Sequence, residues 1–304
     1  MDIHYDTVMQ VISNEQIKKQ RKPENTLENQ FLNKLYLDAI IDVDSVIKDS
    51  QVRIWKSLKA NPEFNISLNE SQKILEKFME SKIRLVILNI DLVGSTKMSL
   101  NLSIDRLTTI IRAFAQEMTI LLSLYGGYVL KYIGDAILAF FVVDTTNTKD
   151  SYDDENKPTT VSSSNDNFDS LSYTNVISCA YTMIKVIQEG INPILNQNDY
   201  PDLKVRIGIE FGEIAVVMYG VDIDEYKNTI LKRPHLDLIG YTISIAVKMT
   251  SHAKPDHIVI GEELFDKLHG KLKNTFKQLS TNPDIWNYST ETTGKIYSLY
   301  ENIR

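Results

Sequence analysis

A buried strand, an amphipathic helix and a hairpin follow one another between residues 84 and 141, and this order constrains the fold more than any other feature. Residues 85–90 are almost all aliphatic, as in a strand that is buried on both faces. Apolar side chains recur at helical spacing from residue 102 to residue 122, which predicts one amphipathic helix. Residues 128–141 alternate, turn at Gly134-Asp135 and continue as an apolar run, which predicts a hairpin. Alternating helices and strands with consecutive hairpins favour an α/β sandwich over a helical bundle.

This unit carries two aspartates at positions where strands end. Asp91 directly follows the first strand and precedes Gly94-Ser95-Thr96, which are residue types that begin a helix. Asp135 occupies the predicted hairpin tip. Either acid alone would ordinarily hydrogen-bond only the local backbone. A hairpin folded back beside the end of the strand would bring both carboxylates together, and with no Lys or Arg adjacent to neutralise them they would need a cation.

The backbone of residues 92–96 lies at a predicted helix N-terminus beside this cation. Its N–H groups would be offered to an anion. Carboxylates that hold metal next to an anion-binding turn describe a site for a metal-bound triphosphate, where two ions roughly 3.5–4 Å apart activate a nucleophile and stabilise the leaving oxygens. The sequence therefore predicts a metal-dependent triphosphate site.

Four segments resemble, in the same order, the sequence blocks of the class III adenylate/guanylate cyclase catalytic domain. They are residues 91–96, 131–136, 205–213 and 237–249. The resemblance covers about residues 82–301. It implies an α+β fold with a ferredoxin-like βαββαβ core, an α/β sandwich, that works as a head-to-tail homodimer with shared active sites. Residues 82–304 are accordingly predicted to form the catalytic domain, and residues 1–81 an N-terminal polar arm and helical extension.

The resemblance also implies how the metal and the triphosphate are held. Two divalent cations per site, Mg²⁺ or Mn²⁺, would be bound by Asp91, Asp135 and the main-chain carbonyl of Leu92. One ion would lower the pKa of the ribose 3′-hydroxyl that attacks the α-phosphorus, and the other would hold the β- and γ-phosphates and assist pyrophosphate release. The triphosphate would be contacted by Leu92, Val93, Gly94, Ser95 and Thr96.

Lys131 and Asp237 occupy the positions that read the base in this family. A Lys donates to adenine N1 and an Asp accepts from the exocyclic amine, whereas guanine presents a carbonyl and an N–H in those places. The pair therefore points to ATP, and the resemblance implies an adenylate cyclase that forms 3′,5′-cyclic AMP and pyrophosphate. Without the other motifs, Lys131 would be read as a solvent-facing hairpin lysine and Asp237 as a helix N-cap.

Two positions depart from the family pattern. Downstream of Asp237 the family usually has Asn and then Arg, four residues apart on one helical face, which orient the ribose and neutralise charge at the transition state. This chain has Ser244 and Lys248 at these catalytic positions. Ser offers no amide, and Lys lacks the planar guanidinium group that forms two parallel hydrogen bonds to a phosphate. We therefore expect reduced or altered turnover. Lys295 is matched to the family's phosphate-contacting lysine, and Arg206 is interpreted as structural.

Local patterns predict the remaining elements. Residues 1–25 read as a polar arm, residues 26–60 as a helix broken near Asp49-Ser50, and residues 67–82 as a short helix with Ser67 and Glu70 as a capping box. Residues 144–175, rich in Asp, Asn, Ser and Thr, are predicted to form a mobile insertion. The other predicted elements are a helix at 176–195, strands at 203–209 and 214–218 joined by a turn at Gly212, a polar connection at 219–232, a helix at 242–252, a strand at 258–260, a helix at 262–268 and a last strand at 295–300.

Composition limits the partners and the compartment. A net charge of −7 without a dense basic stripe argues against a nucleic-acid-binding surface. Cys179 is the only cysteine, which excludes an intrachain disulfide and favours a reducing compartment. No apolar run reaches the ~18–20 residues of a membrane span, and residues 1–21 are too polar for a signal peptide. We therefore expect a cytoplasmic protein with no nucleic acid partner and no membrane span.

Three questions stay open at this stage. The same chemistry could act on another base, GTP or a pyrimidine nucleotide, because Ser244, Lys248 and the bulky Tyr241 leave room for it. The chain could instead be a catalytically weak, nucleotide-binding regulatory module, although a retired site has no physical reason to keep two unneutralised acids. The N-terminal helices either pack on the catalytic domain or its dimer mate, or form a regulatory or dimerising element.

Overall fold

The computed structural model describes residues 31–59, 69–143, 166–226, 229–289 and 294–303. Within these ranges eight strands form one sheet. The strands are β1 (Lys82–Leu92), β2 (Tyr128–Ile133), β3 (Ala136–Val142), β4 (Val205–Tyr226), β5 (Thr229–Ile239), β6 (His257–Gly261), β7 (Phe276–Leu279) and β8 (Leu299–Asn302). The helices are α1 (Val43–Lys59), α2 (Asn69–Glu76), α3 (Ser95–Asn101), α4 (Ile104–Leu124), α5 (Asp166–Lys185), α6 (Asn192–Asn196), α7 (Tyr241–Met249), α8 (Glu262–Lys267) and α9 (Gly270–Lys273), with a π-helical turn (Val186–Ile191) between α5 and α6.

The strand order is β2-β3-β1-β4-β6-β8-β7, and β5 pairs with the outer half of β4. The pairs β2–β3, β3–β1 and β1–β4 are antiparallel, whereas β6 runs parallel to β4. Helix α4 lies between β1 and β2 in the chain, and α5 lies between β3 and β4. This is the βαββαβ arrangement that the resemblance implied, so the predicted α+β fold is confirmed.

Alternate residues of β1 face two hydrophobic cores. Leu88 and Ile90 pack with α4 and α5 on one face of the sheet. Leu85 and Ile87 pack with β5 and α2 on the other face. Both faces of the strand are buried, which explains why its sequence is apolar throughout. By length and hydropathy alone α4 would suit a membrane span, but its apolar side chains pack in the first of these two cores.

The register of β1 decides what lies near its end. Asp91 pairs with Arg206 of β4, and the residue before Asp91 pairs with Ile137 of β3. The turn Gly134-Asp135 joins β2 to β3, and Gly134 has φ 62°, a left-handed conformation that glycine adopts without strain. Because Ile137 lies two residues beyond this turn, the hairpin tip is placed beside the end of β1.

The N-terminal helical region packs on both faces of the sheet of its own chain. Residues 31–35 are helical, the chain is then irregular, and α1 begins at Val43. The predicted break near Asp49-Ser50 is therefore wrong, since both residues lie inside α1, where Ser50 is buried against the π-helical turn near Gly190. Arg53 of α1 donates to both carboxylate oxygens of the buried Glu117 in α4, at 2.8 Å each.

One continuous strand of 22 residues, β4, replaces the predicted hairpin with a turn at Gly212. Its first half pairs with β1 and its second half with β5, so the predicted polar connection at 219–232 is mostly strand. Gly212 lies where α7 packs against β4, and a Cβ there would come within 2.4 Å of Thr242 Oγ1. Glycine in a strand marks either a bend or a close approach of another element, and the sequence pattern does not separate the two.

Other boundaries also differ from the predictions. Helix α5 begins at Asp166 rather than at residue 176, so the end of the predicted insertion is helical, and Ser172 there donates to the Val142 carbonyl at 3.0 Å. Strand β7 was not predicted, and the last strand is β8 rather than residues 295–300, of which Ile296 forms only an isolated bridge to Ser289. The polar arm at 1–25, the capping-box residue Ser67 and residues 144–165 lie outside the described residues.

Candidate active site

Asp91 and Asp135 lie side by side at the end of β1. Burial raises the pKa of Asp91, and the negative charge of Asp135 together with a hydrogen bond between the two carboxyl groups raises it further. Asp135 Oδ2 is buried and has no hydrogen-bond partner among the described residues. Two carboxylates held this close repel each other unless a proton or a cation lies between them.

The sequence analysis interprets Arg206 as structural and misses its contact with Asp91. Its Nη2 lies 3.2 Å from Asp91 Oδ2, and it opposes the increase in the pKa of Asp91 without cancelling it. The expectation that no Lys or Arg neutralises the acids is therefore wrong. Arg206 and Asp91 are 115 residues apart in the chain, and only the pairing of β1 with β4 brings them together. The segment around Arg206 was recognised as a motif, but its residues give no local signal of this contact.

The donor set at this position fits a divalent cation. No group of three or more His, Cys, Asp or Glu side chains that would form a complete protein-only site occurs in the described ranges. A Mg²⁺ ion, however, takes one or two carboxylates and completes its shell with water and substrate phosphates. The unpartnered Asp135 Oδ2 and the Asp91 carboxyl group supply such a pair of ligands.

A cleft of about 490 Å³ opens beside Asp135, between α3, α4 and the hairpin tip. It is lined by Ser95, Thr96, Ser99, Leu107, Thr108, Ile111, Arg112, Gly134 and Asp135. Gly94 precedes α3 with φ 75° and turns the chain from β1 into this helix. The Val93 N–H, in contrast, donates to the Lys204 carbonyl at 2.8 Å. Of the predicted triphosphate contacts, Ser95 and Thr96 therefore face the cleft, whereas the Val93 N–H is already bonded.

Lys131 and Asp237 contact each other. Lys131 Nζ of β2 lies 2.5 Å from Asp237 Oδ2 of β5, and Asp237 Oδ1 accepts from the Leu238 N–H at 2.9 Å. Both side chains remain partly exposed, 39% for Lys131 and 22% for Asp237. Two positions that were matched separately to the base-reading residues thus form one polar pair, and Asp237 lies at the end of a strand instead of capping a helix.

The two departures from the family pattern lie on α7, directly after β5. Ser244 and Lys248 are both exposed and are one helical turn apart. Lys248 Nζ donates to the hydroxyl of Tyr288 and lies 4.5 Å from the centroid of its ring. Lys295 follows Gly294, which has φ 63°, just before the bridge between Ile296 and Ser289.

Comparison with known proteins identifies the family of this domain. A sequence profile described as the adenylate and guanylate cyclase catalytic domain matches residues 79–285. A cytidylate cyclase of Escherichia coli is 25% identical over 201 residues, which are 66% of this chain and 38% of that protein. A cytidylate cyclase of Staphylococcus aureus is 26% identical over 235 residues, which are 75% of this chain and 46% of that protein. The chain thus spans less than half the length of both curated relatives.

Solved structures show the same fold. The adenylyl cyclase CyaB from P. aeruginosa superposes with a TM-score of 0.50 at 18% identity and covers 74% of this chain and 95% of that chain. The guanylyl cyclase Cya2 also has a TM-score of 0.50, at 16% identity, and covers 73% of this chain and 93% of that chain. Proteins named for different nucleotides share this fold, so the fold alone does not identify the base.

Proposed function

Because the chain belongs to the adenylate and guanylate cyclase catalytic domain family, we propose that it converts a nucleoside triphosphate to the 3′,5′-cyclic monophosphate and pyrophosphate. The observation that carries this proposal is the pair Asp91 and Asp135, whose carboxyl groups adjoin at a cleft and leave one buried oxygen without a partner. A binding module without turnover would not need to hold two half-buried acids side by side, because the negative charge of Asp135 raises the free energy of ionising Asp91.

Each residue of this site has a distinct role in the proposed reaction. Asp91, Asp135 and the carbonyl of Leu92 would hold two divalent cations, Mg²⁺ or Mn²⁺, which when bound acidify the 3′-hydroxyl and neutralise the phosphate charge. Ser95 and Thr96 offer hydroxyl groups at the cleft. Arg206 partly offsets the charge of Asp91 in the free protein and would contribute positive charge near the bound phosphates.

The base is proposed to be one with an exocyclic amine beside a ring nitrogen that accepts a hydrogen bond. Lys131 donates and Asp237 accepts, and their side chains meet at 2.5 Å. Adenine offers this arrangement at N6 and N1, and cytosine offers it at N4 and N3, whereas guanine and uracil present a carbonyl and an N–H instead. ATP therefore remains a candidate substrate, and CTP is a second one, supported by the two relatives named cytidylate cyclase.

A homodimer is proposed as the working form. The outer half of β4 and its partner β5 extend beyond the part of β4 that pairs with β1. This arm exposes large apolar side chains, and exposed apolar surface of this kind marks an interaction site. They are Met218, Tyr219, Val221, Ile223 and Ile230. In such a dimer the acids Asp91 and Asp135 of one chain would complete a site with Lys131 and Asp237 of the other.

The decisive experiment gives purified protein Mn²⁺ and each of the four nucleoside triphosphates in turn. Products are identified by mass spectrometry, which separates the 3′,5′-cyclic monophosphates, and pyrophosphate is measured in parallel. Cyclic product from ATP or CTP, and not from GTP or UTP, is expected. Absence of cyclic product from all four would leave the regulatory binding module as the function. A cyclic product from GTP or UTP would instead overturn the role of Lys131 and Asp237.

A further inference from the structure

Lys248 is an exposed lysine that the fold nevertheless holds in one place. It lies in the last turn of α7, and its ammonium group donates to the hydroxyl of Tyr288, 40 residues further along the chain. The same nitrogen lies 4.5 Å from the centroid of the Tyr288 ring. Hydrogen bonding to the hydroxyl and attraction to the ring therefore act on one cation.

Tyr288 is itself fixed by buried neighbours. Its ring meets the edge of Trp286, which is fully buried, with centroids 4.9 Å apart and planes at 73°. The Trp286 indole N–H donates to the Tyr297 carbonyl at 2.8 Å, and the Tyr297 N–H donates to the Tyr288 carbonyl at 2.7 Å. His252, just beyond α7, also packs on Trp286, with ring centroids 5.0 Å apart. The tyrosine is therefore a rigid partner for a flexible lysine.

We propose that Tyr288 is a positioning residue that holds Lys248 toward the phosphate charge of the bound nucleotide. This inference rests on the proposed cyclase function, in which Lys248 stands where the family usually has Arg. A lysine is a point charge on a flexible stem and lacks the preorganised fork of arginine. A partner that fixes the ammonium group before substrate binds restores part of that preorganisation. Tyr288 thus compensates for the Lys at this position.

The hydroxyl group of Tyr288 can be removed without disturbing the packing of its ring. The ring packs on Trp286, whereas the hydroxyl contacts the exposed Lys248. Tyr288→Phe keeps the ring and its packing and removes the hydrogen bond alone. Exposed polar pairs contribute little to stability, so the variant is expected to unfold at the same temperature as the wild type.

A double-mutant cycle on the full chain tests the proposal. Cyclase activity is measured for the wild type, Tyr288→Phe, Lys248→Met and the double variant. Tyr288→Phe is expected to lower kcat about tenfold, as for the loss of one hydrogen bond to a charged group, with KM changed less than about twofold. In the Lys248→Met background it should cause no further loss. Tyr181→Phe is the matched control, because this tyrosine packs on Phe276 in the core that contains α4 and α5, away from Trp286 and Tyr288.

Two results would overturn the proposal. One is an unchanged kcat in Tyr288→Phe, and the other is an equal loss in both backgrounds, since the hydroxyl would then act without Lys248. A second measurement does not depend on turnover: in reductively ¹³C-methylated protein the Lys248 resonance, identified by its absence in Lys248→Met, should shift in Tyr288→Phe. An unshifted resonance refutes the pairing. A shifted resonance in a protein that forms no cyclic nucleotide refutes the proposed function instead.

Discussion

Replacing Glu210 by Gln should change how the stability of the fold depends on pH. Glu210 lies on β4 and is fully buried. Its carboxyl group accepts from the Tyr297 hydroxyl at 2.7 Å and from the N–H groups of Phe211 and Leu264 at 2.8 and 3.3 Å. A Cβ on Gly261 would overlap this carboxyl group, so the pocket has no spare room. Burial raises the pKa of Glu210 from its ordinary 4.5 to about 8.

The direction of the effect follows from where the proton is held. The folded protein keeps the Glu210 carboxyl protonated up to about pH 8, whereas the unfolded chain loses this proton near 4.5. The contribution of this carboxyl group to the free energy of unfolding is therefore complete below pH 4.5 and is lost as the pH rises toward 8. Between these two pH values the folded state binds one more proton than the unfolded state, and this difference changes the free energy of unfolding by about 1.4 kcal/mol per pH unit. Between about pH 5.5 and 7.5 the stability of the wild type relative to Glu210→Gln should fall by up to about 3 kcal/mol, or on the order of 6 °C in Tm.

Urea unfolding at several pH values measures this difference directly. Gln keeps an oxygen for the two backbone N–H groups and cannot ionise, so its curve lacks the Glu210 contribution. Glu213→Gln, at an exposed position of the same strand, controls for the removal of one carboxylate. Parallel stability curves for the wild type and Glu210→Gln across this range would refute the reasoning, since they would mean that the buried carboxyl group holds no extra proton.

Three further experiments test the site and its support. Asp135→Asn should lower turnover by more than about 10²-fold while its gel-filtration volume equals that of the wild type, and near-normal activity would contradict the assignment of Asp135 as a metal ligand. Mixing Asp91→Ala with Asp237→Ala protein should restore activity in one of the two interfacial sites; heterodimers without activity would argue against shared sites. Arg53→Met should lower the free energy of unfolding by up to about 3 kcal/mol, because it leaves the buried Glu117 carboxylate unpaired, and equal urea midpoints for both proteins would contradict this.

Local sequence patterns were sufficient for the first half of the sheet. The aliphatic run before Asp91 and the alternation around Gly134 each depend on neighbouring residues only, and the structure has a strand and a hairpin at these places. The order strand, helix, hairpin then restricts how the hairpin can return to the first strand. The proximity of Asp91 and Asp135 was predictable because it follows from this order.

Contacts that depend on long-range register were not predictable. Asp91 meets Arg206 through the pairing of β1 with β4, and Lys248 meets Tyr288 through a loop packed on Trp286. Gly212 was misread for a related reason, because a glycine that allows a helix to approach looks the same as a glycine that allows a turn. In each case the missing information is the identity of the neighbour across the fold.

In the proposed function, the contact between Lys131 and Asp237 would let a small polar pair select a base. The two charged atoms are 2.5 Å apart in the free protein, which leaves no space for a base between them. A nucleotide must therefore separate the pair, and each partly desolvated charge then needs a new partner. Adenine or cytosine supplies an acceptor for Lys131 and a donor for Asp237, so both charges are satisfied again. Guanine or uracil would leave an N–H facing the ammonium group and a carbonyl facing the carboxylate, and in the proposed function this repulsion would exclude them.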